Sequence, residues 1–213
     1  LEELKLADQT IVCYTSDHGE QLGYHGLWWK CTMFEQSAHV PMIVHVPGQS
    51  PKRISEPINL TDWFPTVCDF MNLPIPDGLD GHSLKPFIEA GTSSCHPDFA
   101  FSEYHAHGVP HGMFMIRWKH YKYIYYCYEK PQLFDLNQDP GENHSLLDSK
   151  MPSPAVMITA EECHKRLLSI CNPYEVDLRA KTFQAETKKA LGITEYDTDM
   201  GNCPVPHPKA FFS

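Results

Sequence analysis

TIVCYTSDHGEQLGYHGLWWK occupies residues 10–30. A short β-prone run, residues 10–16, ends on Asp17, His18 and Gly19. It follows a helix-like segment, LEELKLADQ, with Leu1, Leu4 and Leu6. A mostly apolar strand after a helix predicts a buried strand of an α/β sheet. Such sheets present functional side chains where the carboxyl ends of strands meet loops. Asp17 offers a hard carboxylate oxygen and His18 an imidazole nitrogen, and both residue types bind divalent cations. Gly19 lets the backbone turn away tightly. Lys30 is a point charge suited to an anionic oxygen, and His25, before a second glycine, can also meet an anion. The same residue types also serve as turn caps, surface lysines and, for Trp28 and Trp29, ordinary packing residues.

Outward from this stretch, PMIVHVPG (41–48) reads as a second strand, closed by Pro47 and Gly48. LTDWFPTVCDFMN (60–72) predicts a helix capped by Thr61 or Asp62, with Pro65 in its first turn and Phe64, Val67, Phe70 and Met71 on one face. The Pro/Gly/Asp-rich segment 73–86 is a loop in which Asp80 and His82 shape a turn, and a short helix follows from Ser83 to Ala90. Beyond Gly91 the texture changes. DFAFSEY, GMFMIRW, KYIYYCY and QLFDL are four β-prone runs separated by turn material, which predicts a small antiparallel sheet. Thr159 and Glu162 match a capping box. Asn172-Pro173 restarts a helix that runs to Leu191 and stops at Gly192. The proline-rich tail ends in Ala210, Phe211 and Phe212, apolar residues expected to dock on something.

The 213 residues carry a formal net charge of −10, which argues against a nucleic-acid partner. No apolar stretch approaches the ~20 residues that span a bilayer, so no membrane partner is expected. None of the eight cysteines forms a C-x-x-C pair; buried reduced thiols, among them Cys13, Cys68 and Cys127, are expected, and they favour a cytoplasmic location. His105, His107 and His111 form a cluster that suits substrate contact, a zinc site or neither.

Three elements in order, TSDHG (15–19), HGLWWK (25–30) and FEQSAHVP (34–41), resemble the second signature region of the sulfatase family, within the alkaline-phosphatase-like superfamily. Two later stretches agree: the D-G-x-S-L element at Asp80–Leu84 and the L-F-D-L-x-x-D-P-x-E element at Leu133–Glu142. SEYHAHG (102–108) is most similar to choline-sulfatase-type members, and phosphonate and phosphate monoester hydrolases share much of the pattern.

The resemblance implies the C-terminal part of an α/β alkaline-phosphatase-like sandwich. Residues 1–95 would belong to the catalytic domain, 96–148 to a small four-stranded antiparallel subdomain, and 149–213 to a helical extension and tail. It implies that Asp17 and His18 hold Ca²⁺ or another divalent ion and that Lys30 contacts the sulfate; His25 and His105, by their residue type and position, are the further candidates to border a small sulfated substrate. The family nucleophile is a formylglycine made within a C-x-P-x-R or C-x-A-x-R motif. Cys171–Glu175 comes nearest here, with Glu175 in place of the arginine and on the wrong side of the Asp-His-Gly turn. A sulfatase fragment, inactive alone, is therefore expected. The alternatives are a phosphonate or phosphate ester hydrolase of the same superfamily and an oligomerisation module, a homo-oligomer being expected of the longer protein.

Overall fold

The computed structural model describes residues 1–106 and 109–192. Strand β1 (Val12–Thr15) pairs antiparallel with β2 (Met42–His45), Cys13 opposite Val44. Between them lie the long loop that starts at Ser16 and the single-turn helix α1 (Glu35–Ala38). Helices α2 (Trp63–Phe70) and α3 (Lys85–Ala90) follow. The second sheet takes the order β3 (Phe99–Tyr104), β4 (Met113–Trp118), β5 (Tyr121–Tyr126), β6 (Gln132–Asp135), antiparallel throughout. Helices α4 (Pro154–Ile170) and α5 (Pro173–Ala190) close the described chain. The four predicted strands and both C-terminal helices are therefore present, in an α/β arrangement with an antiparallel subdomain.

Period-two alternation gives the four-stranded sheet two buried faces. Phe114, Ile116, Tyr123 and Leu133 pack against Ala160, Cys163 and Leu167 of α4. Met113, Met115, Ile124 and Phe134 face the other way, onto Met33, Phe34 and Ala38. The segment carrying α1 therefore lies against one side of the sheet and the long helices against the other.

Several expectations are corrected. Residues 1–6 form turns rather than an α-helix, with Lys5 at a φ of 54° and only a 3₁₀ turn at Ala7–Gln9. β1 is not buried: Tyr14 and Ile43 are more than 60% exposed, and Cys13 is half-buried. Among the described residues only two strands pair here, so no layer covers their outer sides. Helix α4 begins at Ser153-Pro154, whose serine hydroxyl accepts the Val156 N–H; Thr159 lies inside it. No disulfide links the seven described cysteines, of which Cys68, Cys127 and Cys163 are buried and Cys95 is exposed. No helix among the described residues is long and apolar enough to cross a membrane. The Phe211-Phe212 tail and His107 lie outside the described residues.

Helix α2 turns the opposite side inward from the one its apolar spacing predicts. Phe64, Val67 and Met71 are exposed, while Pro65, Thr66 and Cys68 are buried. The cause is polar. Asp62 closes a capping box with Asn59 and accepts the His82 N–H at 2.8 Å; Thr66 accepts the Leu84 N–H at 2.7 Å. These bonds draw the loop at 81–84 onto the polar side of the helix. Gly81 permits the approach, since a Cβ there would lie 2.1 Å from the Thr61 carbonyl.

Asp62 also holds a buried ion pair with His96, Nε2 to Oδ2 at 3.0 Å. The other ring nitrogen of His96 faces the Pro97 carbonyl at 2.9 Å. Both nitrogens meet acceptors, so the ring is an imidazolium. Burial alone lowers the His96 pKa, but the bonds to Asp62 and Pro97 outweigh it and the net shift is upward. For Asp62, burial raises the pKa, but His96 and the two backbone N–H groups carry it below the ordinary value. The His96 contribution to stability is thus full below its unfolded pKa of about 6.5 and is lost as pH rises through the higher folded value. The Asp62 contribution is full above about 3.9 and is lost as pH falls through the lower folded value. Thermal melts from pH 5 to pH 9 should show a Tm decline that His96→Gln reduces, by about 2–4 °C for each 1 kcal/mol. An unchanged slope in the variant would sink the assignment.

Candidate active site

Asp17 and His18 follow β1 after one residue, Ser16. Oδ1 of Asp17 accepts the His18 N–H at 3.0 Å and the Ser16 hydroxyl at 3.4 Å. Burial is the largest influence on the Asp17 carboxyl and raises its pKa; the charge of His18, the N–H groups of residues 17 and 18 and the Ser16 hydroxyl together pull it below the ordinary value. Nδ1 of His18 faces the Gly19 carbonyl at 2.8 Å. A carbonyl only accepts, so in the neutral ring the proton resides on Nδ1 and leaves the Nε2 lone pair for a cation. That nitrogen lies 3.5 Å from Oδ2 of Asp17. Two adjacent ligands of a cation held at about 2.3–2.6 Å stand about this far apart. The pair fits two positions of a divalent-metal shell. Among the described residues no group of three or more metal-ligating side chains gathers.

Lys30 is tied to the same place through one residue, Ser37 on α1. The Gly19 N–H donates to the Ser37 carbonyl at 2.8 Å, and the Ser37 hydroxyl donates to the Lys30 carbonyl at 2.5 Å. Glycine at 19 is required by the approach: a Cβ there would lie 2.0 Å from the Gln36 carbonyl. The intervening loop is held together by backbone bonds from Gln21 to Trp29 and from Gly23 to Leu27, and by Glu20, which accepts the Trp29 N–H. Gln21 is fully buried and bonds Thr32 at 2.6 Å. His25, in the left-handed region at a φ of 52°, stacks on Phe34 with ring centroids 4.2 Å apart. The backbone after the Asp17–His18 turn and the backbone of Lys30 thus meet at Ser37, with His25 on the neighbouring Phe34.

His105 is placed differently. The Tyr104 hydroxyl donates to Cys31 at 3.0 Å, so the end of β3 reaches the residue after Lys30. The next side chain, His105, lies on the helical face instead, edge-on to Phe114 at 5.2 Å. With Glu103 it lines an open pocket of about 360 Å³ bordered by Val176, Arg179, Ala180 and Phe183 of α5. Glu103 stands 3.6 Å from His105 Nε2, and His111 pairs instead with Asp177 at 3.6 Å. The structure does not gather His105 and His111 into one set of ligands.

Sequence reasoning missed three residues beneath the site. Lys122 is fully buried on β5, its ammonium 2.6 Å from Glu35, 2.9 Å from Glu142 and 2.9 Å from the Met33 carbonyl. Glu142 also accepts the Glu35 N–H at 2.6 Å, which caps the start of α1. Burial pushes the Glu35 carboxyl up, but bonds to His39 and Lys122 bring it down to about 2. For Glu142 burial wins and its pKa is raised. Strand alternation in KYIYYCY places Lys122 on the side of Ile124 and Tyr126, and an inward lysine between apolar neighbours demands buried carboxylates.

Residues 23–170 match the family model described as N-sulphoglucosamine sulphohydrolase, C-terminal. Human arylsulfatase K is 39% identical over 152 residues, 67% of this chain and 28% of the relative. Arylsulfatase K of Gallus gallus is 34% identical over 206 residues, 90% of this chain and 37% of the relative. Among solved structures, the phosphonate monoester hydrolase of Agrobacterium radiobacter superposes with a TM-score of 0.68 at 28% identity, covering 79% of this chain and 36% of that one. The chain spans between about a quarter and two fifths of the length of the curated relatives it matches. With the family match running from the glycine-rich loop after Asp17 through the second sheet and into α4, the chain belongs to the sulfatase family, by its N-sulphoglucosamine sulphohydrolase C-terminal region.

Proposed function

We propose that this chain forms the C-terminal part of a sulfatase catalytic unit acting on small sulfate monoesters. The observation that carries the reading is Ser37, which holds the Asp17–His18 turn by its carbonyl and Lys30 by its hydroxyl. In this reading Asp17 Oδ2 and His18 Nε2 are two ligands of a calcium-like ion, and the Nδ1 bond to Gly19 fixes the ring orientation. Such an ion, when bound, supplies Lewis-acid stabilisation of charge on the sulfuryl oxygens. Lys30 supplies a fixed positive charge to the same oxygens, worth most where it strengthens in the transition state. His25, stacked on Phe34, borders the leaving alcohol.

A formylglycine motif is not among the 213 residues. The chain by itself is expected to turn over no 4-nitrophenyl sulfate, while a longer protein joining it to a C-x-[PA]-x-R-bearing segment turns the ester over. Sustained hydrolysis by the 213-residue chain would end this reading. The likeness to a phosphonate monoester hydrolase favours a second reading, a phosphonate or phosphate ester hydrolase. Parallel kcat/KM measurements on aryl sulfate, choline sulfate and phenyl phosphonate esters separate the two: the larger value for a sulfate ester supports the first.

A further inference from the structure

We propose that the buried Glu142–Lys122–Glu35 group is the anchor that fixes the candidate active site, making Glu142 and Lys122 positioning residues. The inference rests on the reading of Asp17, His18 and Lys30 as that site. Neither residue is among those expected to contact metal or sulfate. Their effect runs through α1.

The path is continuous. Helix α1 has only four residues, too few to hold its own geometry in water. Its first N–H is capped by Glu142, a residue 107 positions away on the loop after β6. The Glu35 side chain is pinned by Lys122 from β5. Two residues on, Ser37 is buried and holds both Gly19 and Lys30. Each step is a direct contact, from the four-stranded sheet through α1 to the Asp17 turn. Met33, Phe34 and Ala38 add apolar contacts with the sheet, Phe34 and Phe134 having centroids 6.1 Å apart, but such packing is less directional than a charged hydrogen bond. The ionic contacts, at 2.6–2.9 Å, set its orientation. Glu142 itself sits at a φ of 55°, a left-handed conformation uncommon for a glutamate, and its backbone places the carboxylate beneath α1.

Replacement of a buried ion pair by apolar residues of similar size often leaves a protein folded. The double variant Lys122→Met/Glu142→Met therefore removes the anchor and retains the sheet. Amide hydrogen exchange by NMR on the full 213-residue chain reads the outcome. Gly19 and Gln21, whose N–H groups bond Ser37 and Trp29, are expected to exchange at least tenfold faster, with Ile116 and Ile124 of the sheet unchanged. Unchanged protection at Gly19 and Gln21 would overturn the proposal. Should the sheet amides also lose protection, Glu142→Gln decides. It keeps an acceptor for the Glu35 N–H and removes the charge, so Gly19 and Gln21 should accelerate at least threefold ahead of Ile116 and Ile124; a parallel rise overturns the anchor. In a longer protein that hydrolyses a sulfate ester, the double variant should lower kcat at least tenfold with KM within about twofold. If the exchange result holds and no ester is hydrolysed, the anchor stands and the sulfatase reading falls.

Discussion

Lys30→Ala in a protein that joins this chain to the rest of the catalytic domain is expected to lower kcat/KM for an aryl sulfate by about 10²–10³-fold, the effect of removing one fixed donor from a developing oxyanion. The fold should be spared. It is the Lys30 carbonyl, not the ammonium, that accepts the Ser37 hydroxyl, so truncating the side chain leaves the loop bonded. Lys30→Arg should recover only part of the rate, because a planar guanidinium replaces a compact charge. The measurement is steady-state kinetics beside a thermal melt. A loss of less than about fivefold with an unchanged melt would remove Lys30 from the chemistry.

Glu142→Ala is the change with the largest expected effect on stability. It leaves the buried Lys122 ammonium short of a carboxylate and the Glu35 N–H without its acceptor. Breaking one partner of a buried pair costs about 3–5 kcal/mol. Against a total of about 5–15 kcal/mol, that is a large share. Urea unfolding should show the midpoint falling accordingly, and Lys122→Met added to Glu142→Ala should return part of the loss, since the stranded charge is then gone. By contrast, Asp148→Ala, which breaks the exposed pair with Lys130, should cost under about 1 kcal/mol. Equal midpoints for Glu142→Ala and Asp148→Ala would contradict the buried anchor.

The four-stranded sheet was legible because four β-prone runs follow one another with turn residues between them and no helical period. Helix α5 was legible from Asn172-Pro173 and Gly192, local signals that need no partner, whereas the capping-box pattern at Thr159 misplaces the start of α4, which lies at Ser153-Pro154. The metal and sulfate candidates were legible only as residue types at a strand end; nothing local announces that Ser37 holds them together. Helix α2 misled because spacing reports an apolar stripe but not which side the tertiary structure covers. There Asp62 and Thr66 decided the matter through bonds to residues about 20 positions away. Glu142 stayed hidden for a similar reason. In sequence it is an acidic residue in a polar turn after Asp139-Pro140. Its burial depends on Lys122, 20 residues earlier on β5, and on Glu35, 107 positions away.

A crystal structure of a longer protein containing this chain, grown with calcium and a sulfate ester or inorganic sulfate, puts the convergence of Asp17, His18 and Lys30 to direct test. The expected result is an ion within about 2.3–2.6 Å of an Asp17 carboxylate oxygen, with His18 Nε2 turned to the same ion and the Lys30 ammonium within hydrogen-bonding distance of a sulfate oxygen. An ion bound elsewhere, or Lys30 facing solvent while sulfate occupies a different cleft, would contradict it.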